Sequence, residues 1–396
     1  MLISQLKSKR IVGLFALCVG VAALALTTNN FRARAAGEHF ADPSAQMRGH
    51  ITLGDEVYVG PFATLVAEAD HKIEIGAESD VQDNVTLEAT KGDIILGEQV
   101  ILAHGTTVKG AAEFGEHGTC PVATDTHCPS FSGFNSEVDG AKVEKDAMVG
   151  HLARLAPGLT LKSGLKILPG KNVTTQAEAE DTTLGKVAAV TQADRDFMHG
   201  VIEVNVEFAV QYAHMTSAEI TGINADPNTT FNSGKNFPTL LGTSTQDGSF
   251  RNRIIGNVLL SNNIAQLDDV MGARISLRAD EGAPFIFGAL RSIGSNATVH
   301  ALEHTGVSIN GNARIESGSL IHGGPNSFNS NTTTAGFGFQ LGAKSVFFAS
   351  RIGALGRIGY KSAILATDFG NAANTRIGDC QVYNGGVKVG TVEWCY

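Results

Sequence analysis

The chain is poor in aromatic residues, which make up 7% of its 396 positions and include a single tryptophan, so a wide core filled by large rings is excluded. Charge is also sparse, at 17%, and the net charge of −9 comes without any basic run. Nothing is therefore available to neutralise a phosphate backbone, which argues against a nucleic-acid partner. The one long apolar run, Ile11 to Leu26, is short for the roughly 30 Å of hydrocarbon in a bilayer. The five cysteines fit neither a zinc ribbon nor a common redox motif by their spacing.

Lys7, Lys9 and Arg10 precede that apolar run, and Ala33-Arg34-Ala35 offers a small-x-small cleavage site after it, so residues 1–36 read as a signal peptide. The alternative is an uncleaved membrane anchor. A cleaved signal predicts export to a periplasm, a lumen or the extracellular space, with no stable membrane insertion afterwards. Cys18 leaves with the signal, and an oxidising compartment would let the other four cysteines pair. Proximity favours Cys120 with Cys128 and Cys380 with Cys395, while the other two connectivities stay open.

What the chain has in quantity is glycine, 46 residues, and small aliphatic residues recurring in steps of six. Ile51-Thr-Leu-Gly-Asp-Glu, Val57-Tyr-Val-Gly-Pro-Phe, Ile73-Glu-Ile-Gly-Ala-Glu and Val81-Gln-Asp-Asn-Val-Thr follow the hexapeptide pattern of a parallel β-helix. Three such steps close one triangular coil, and each coil stacks an aliphatic layer on the next. The pattern runs on to Leu165, and a second run extends from near Ile254 through Val307, Ala313 and Ser319 to Val389. Between them, Ala193 to Met215 reads as a helix, with Phe197, Val201, Val204, Phe208 and Tyr212 at spacings of three and four. Thr216 to Ser249 is rich in Thr, Asn, Gly and Pro without periodicity and reads as a linker. The expected class is mainly β, with two parallel β-helical prisms, the first followed by a helix. The boundaries are 1–36 signal peptide, 37–215 first prism with helix, 216–250 linker and 251–396 second prism.

Three stretches carry chemistry: Leu277-Arg278-Ala279-Asp280-Glu281-Gly282, Val299-His300-Ala301-Leu302-Glu303 and Leu320-Ile321-His322-Gly323. Together they resemble the active-site region of the gamma-class carbonic anhydrases, trimeric left-handed β-helix enzymes with a metal held between neighbouring prisms. The resemblance implies that His300 and His322 are two of three histidine ligands. The family's third ligand belongs five residues before His322, where this chain has Ser317. The first half is similar to the other face of the family's site, with His104 as the third ligand and Gln82 and Asp83 before it. A slide of the two halves sets Val66 on Arg278, Glu88 on His300, His104 on Ser317 and Lys109 on His322, so the halves are complementary. Glu88 and Lys109 are expected to form an ion pair where the second half has its stacked histidines.

By the same resemblance, Glu281 and Glu303 would relay the proton and Gln82 would hydrogen-bond metal-bound water. Arg278 would position the anionic product or pair with Asp83 across the interface, and Asn205 would face the metal from the helix. The implied substrate pair is CO2 and bicarbonate. The implied metal is zinc, with an open fourth position that yields hydroxide at neutral pH, though three histidines do not distinguish zinc from iron or cobalt. Two other classes compete: hexapeptide acyltransferases, which the quoted stretches disfavour, and a carbonic-anhydrase-like structural or assembly protein without catalysis. A homo-oligomer is expected, in the form of a trimer of two-prism chains whose rings mix the halves and hold about two metal sites per three chains.

Overall fold

In the computed structural model, which describes residues 37–122, 128–214, 252–263, 267–281 and 283–396, the six-residue steps become two left-handed, three-sided parallel β-helices. The expected signal peptide and linker lie outside the described residues. The sheets of the first prism have eight, seven and six strands, and those of the second have eight, five and five. Mostly aliphatic residues point inward, with Ser132 and Phe347 among the exceptions. Val59, Val81, Leu102, Val149 and Ile167 stack in the first interior, and Leu277, Val299, Ile321, Phe347 and Ile364 in the second. Each buried aliphatic side chain contributes about 1.5–3 kcal/mol relative to exposure, and the stack repeats this layer by layer.

The corners between strands demand a left-handed backbone, and the chain often supplies asparagine there, as at Asn84 (φ 57°), Asn135 (φ 51°) and Asn312 (φ 58°). Asparagine tolerates this region better than most side chains because its short amide can bond locally. Gly76 is required for another reason: a Cβ there would lie 2.5 Å from the Gly97 backbone of the next coil.

The helix spans Gln192–Ala213 and opens with a capping box between Thr191 and Asp194. Its buried stripe is Met198, Val201, Ile202, Asn205, Phe208 and Tyr212, whereas Phe197 and Val204 of the expected stripe are only partly covered. This stripe joins a third core. Met198, Val201 and Ile202 share it with Ile101, Phe131 and Met148 of the first prism and Leu320, Val346 and Leu365 of the second. The two prisms of one chain therefore pack directly on each other, and the mixed ring inferred by counting prisms is not needed to bring the halves together.

Polar contacts line the same junction. Arg253 meets Asp42 at 2.8 Å, Arg274 donates to the Phe62 carbonyl at 2.7 Å and Asn135 donates to the Gly318 carbonyl at 3.1 Å. At the far end Trp394 Nε1 donates to the Leu152 carbonyl at 2.6 Å and Glu393 pairs with Lys171 at 2.9 Å. Trp394 follows the antiparallel hairpin Gln381–Asn384 and Val387–Thr391, which ends the second prism. Cys380 and Cys395 are placed as a disulfide across this hairpin, with Cα atoms 5.9 Å apart, and Cys120 and Cys128 as another at 5.7 Å. The local pairing expected from the sequence is thus the one the fold brings into reach.

One expectation is corrected. Glu88 and Lys109 are register partners on adjacent strands, but Lys109 pairs at 3.4 Å with Glu137 of the following coil. Glu137 also receives Arg154 at 3.0 Å, so the ammonium joins an existing charge cluster instead of turning back to Glu88.

Arg253 and Asp42 are both almost fully buried, so removing one member leaves the other charge unpaired. Arg253→Ala should destabilise the protein by about 3–5 kcal/mol in denaturant unfolding. A loss below about 1 kcal/mol, the level of an exposed pair, would show that this contact does not hold the prisms together.

Candidate metal centre

The parallel ladder that stacks the coils also stacks the histidines: His300 and His322 are register partners on neighbouring strands of the second prism. Their side chains point outward because the inward positions belong to Val299 and Ile321. His104 comes from the first prism, at the corner after the strand Val100–Leu102. The junction brings its Nε2 to 3.1 Å from His300 Nδ1, which lies 3.2 Å from His322 Nε2. All three rings are buried, and the three ligand atoms lie within 4.8 Å of one another.

The outer nitrogen of each ring lies against an acceptor. His104 Nδ1 is 2.9 Å from Asp83 Oδ2, and His300 Nε2 is 2.9 Å from Glu281 Oε1 and 3.3 Å from Asp280 Oδ1. His322 Nδ1 donates to the Gly323 carbonyl at 2.6 Å. With the outer nitrogens protonated, three inner lone pairs converge, an arrangement that repels itself unless a cation or proton lies between them. Tetrahedral ligands at about 2.0–2.1 Å from zinc would have nitrogens roughly 3.3 Å apart, close to the spacing here. The donors and their backing therefore fit a divalent ion held by three histidines.

Charge follows the same plan. Burial opposes ionisation of Asp83, but Arg278 and His104 outweigh it and hold the carboxyl well below the usual range. Asp280 is lowered too, against burial, by Arg278 and His300. Burial pushes His104 down to about 4, with Asp83 opposing, and burial together with the neighbouring rings takes His322 well below the ordinary imidazole value. His300 differs: burial and Arg278 push it down, yet Glu281 and Asp280 carry it up to about 8.

Arg278 is fully buried between the Tyr58 and Phe208 rings, its guanidinium carbon 5.3 and 5.2 Å from their centres. It meets Asp83 of the other prism at 3.2 Å and donates to Tyr58 Oη at 2.8 Å and Asp280 at 3.0 Å. Of the two roles weighed for Arg278, pairing across the interface is the one visible here. Tyr212, from the last turn of the helix, donates to Asp280 at 2.5 Å, and Ser276 donates to Asp83. Tyr58, Tyr212 and Ser276 were not singled out in the sequence as site residues, although Tyr212 stands in the helix stripe that brings it there.

Gln82 is placed differently from its expected role. Its amide nitrogen donates to Asp80 at 2.6 Å, and its oxygen accepts from the His104 backbone at 3.2 Å. Asp80 is itself buried, with its carboxyl pushed well above the ordinary range by that burial. Asn205 lies on the buried face of the helix, where its nitrogen donates to the Val201 carbonyl at 2.8 Å and its oxygen has no partner among the described residues. Glu303 is half-buried, and burial, with Glu281 and Glu203 adding to it, raises its carboxyl to about 7. Ser317 is exposed at its corner, as a position without a ligand role would be.

No family model matches the chain. A carbonic anhydrase of Methanosarcina thermophila is 31% identical over 188 residues, an alignment covering 44% of this chain and 72% of that protein. The carboxysome assembly protein CcmM of a Nostoc species is 25% identical over 184 residues, and the match spans 30% of its length. The bifunctional protein GlmU of Streptococcus suis is 30% identical over 110 residues, or 20% of its length. Among solved structures, a hexapeptide transferase family protein from Anaplasma phagocytophilum is similar at 20% identity with a TM-score of 0.33, covering 43% of this chain and 91% of that one.

Phe134 stacks on His104 and His322 on one side and on His151 on the other, with His151 4.5 Å away at 15°. His151 is partly buried against these rings, and that desolvation lowers its pKa from 6.5 to about 4. Between these values the unfolded chain binds the proton and the folded chain does not, so stability is full above 6.5, falls as the pH drops from 6.5 towards 4, and levels off once the folded ring is protonated too. The loss attributable to this ring should approach about 3 kcal/mol. His151→Phe should flatten that part of the profile in urea unfolding, and parallel profiles for the two proteins would show that His151 is not held neutral.

Proposed function

The chain belongs to the gamma-class carbonic anhydrase family, and we propose that it reversibly hydrates CO2 to bicarbonate at one metal centre completed by its two unlike prisms. The observation that carries this reading is the convergence of His104 from one prism with His300 and His322 from the other, each backed by an acceptor on its outer nitrogen. Zinc is the metal we assign, and when bound it would act as a Lewis acid that makes hydroxide available at neutral pH.

The chain's own groups divide the remaining work. Asp83, Glu281 and the Gly323 carbonyl fix the orientation of the three rings. Arg278 clamps the two prisms through Asp83 and so keeps His104 at its distance from the other two. Asn205, whose oxygen is unpartnered, is the amide free to hold a reactant, whereas Gln82 supports the His104 backbone. Glu303 accepts the proton released by hydration and passes it to solvent, a role suited to a half-buried carboxyl that titrates near neutrality.

The match to a carboxysome assembly protein supports a second reading, in which the same fold serves assembly without catalysis. Metal content separates the two. Under the enzymatic reading His300→Ala should lose both metal and CO2 hydration, and stoichiometric metal in a His104, His300, His322 triple variant would sink the site assignment. Glu303→Gln should slow turnover on the order of 10²-fold in weak buffer, with recovery in concentrated imidazole. A rate independent of both the substitution and the buffer would remove Glu303 from the proton path.

We also infer export with both disulfides formed, and association of chains into a homotrimer. Intact-mass measurement with and without reduction tests the first, and four free thiols in protein from its native compartment would contradict it. Native mass paired with metal analysis tests the second: one ion per chain is expected whatever the mass, and a monomer would remove the trimer alone.

A further inference from the structure

In the first prism the sheet that precedes the His104 corner is buried, and its outward residues Tyr58, Ile101, Phe131 and Met148 pack under the helix and the second prism. The corresponding sheet of the second prism precedes the Ser317 corner and is open. Its outward residues run in register as Ser292, Arg314, Gln340, Arg357 and Arg376, with Arg357 and Arg376 exposed. Beside them runs a corner of bare backbone at Gly342, Gly359 and Gly378. A Cβ on Gly342 would lie 2.5 Å from the Gly359 backbone, and one on Gly359 would lie 2.4 Å from Asp379. Arginines and glycines together line a trough of about 380 Å³.

Several arginines elsewhere are paired with carboxylates. Arg351 meets Asp368 at 2.6 Å, Arg195 meets Asp146 at 2.7 Å and Arg154 meets Glu137 at 3.0 Å. In the trough, Arg314 has Glu316 only at 3.9 Å, and Arg357 and Arg376 have no carboxylate partner among the described residues. Two adjacent exposed guanidiniums thus stand without a carboxylate, beside Arg314 and Glu316 in a long contact, in a chain whose net charge is −9.

We propose that this trough is a docking surface for an extended acidic peptide segment of a partner protein, whose carboxylates meet Arg314, Arg357 and Arg376. Neighbouring strands lie about 4.8 Å apart, which sets Arg357 beside Arg376 and leaves Gln340 between them and Arg314, and each guanidinium can take a planar carboxylate bidentately. No aromatic ring lines the trough to stack a base or a sugar, which disfavours nucleic acid and glycan. A second copy of this chain, which carries 39 acidic residues against 30 basic ones, is the competing occupant, and self-association that Arg357→Gln/Arg376→Gln abolishes, without saturable peptide binding, would assign the trough to it and overturn the proposal.

The test is fluorescence anisotropy of a labelled octaglutamate peptide with the full-length protein at low salt, beside a sulfated oligosaccharide and a DNA oligonucleotide of similar charge. Saturable binding of the peptide is expected. Each lost guanidinium–carboxylate contact should weaken it about tenfold, so Arg357→Gln/Arg376→Gln should abolish measurable binding while metal content stays unchanged. Arg48→Gln, an exposed arginine at the other end of the molecule, should have no effect. Absence of saturable binding, equal affinity in the double variant, or equal or tighter binding of the sulfated or nucleic-acid probe would each overturn the proposal.

Discussion

Everything at the centre depends on one buried contact, that between Arg278 of the second prism and Asp83 of the first. Neither side chain is exposed, and a guanidinium removed from water is tolerated only when its neighbours replace most of what hydration supplied. Tyr58 and Asp280 satisfy Nη1 and the Tyr58 and Phe208 rings flank the plane, while Nε and Nη2, without a hydrogen-bond partner among the described residues, rely on the charge of Asp83. Asp83 in turn backs His104, so the group that locks the prisms together also orients a ligand. Junction and metal centre are therefore one network, and a shift in the packing of the prisms would be felt at the histidine spacing.

The six-residue repeat made the prisms legible, because an aliphatic residue every six positions with glycine or asparagine at corners leaves few other folds. His300 and His322 were legible for the same reason, since one coil of about 18 residues plus a loop of about four residues stacks them. His104 needed the resemblance as well, because nothing local to a corner histidine says which face will meet it. What could not be read was the junction. Tyr58 appears in the sequence as one more residue of a hexapeptide, and only the packing of the second prism against its sheet gives it Arg278 as a partner. The Glu88 and Lys109 expectation failed on a related point: register set the two side by side, but a lysine chooses among all acids within reach, and the next coil offered a better cluster.

Joining the halves in one chain changes the physics of the site. Ligands from separate subunits would assemble at a rate and extent set by protein concentration, whereas here His104 meets His300 at the effective concentration of a folded junction. The apolar packing of Ile101, Phe131, Leu320 and Val346 holds the halves before any ion enters, which preorganises the three nitrogens.

The same arrangement accounts for why each half is incomplete. Only one face of each prism is buried against the other, so only one set of ligands can be enclosed. Val66 stands where Arg278 would fall in the first half, and an arginine there would have no counterpart to Asp83 across a junction. Ser317 stands at an exposed corner, where a histidine would face water instead of two further rings. A motif residue keeps its chemical meaning only beside its partners. Where the second prism turns its equivalent face to solvent, that face carries Arg314, Arg357 and Arg376 in place of the apolar residues that the first prism buries. Desolvating those guanidiniums against an apolar prism face like the first would leave them without counter-charge, so the open face is constrained to meet water or a surface that brings negative charge.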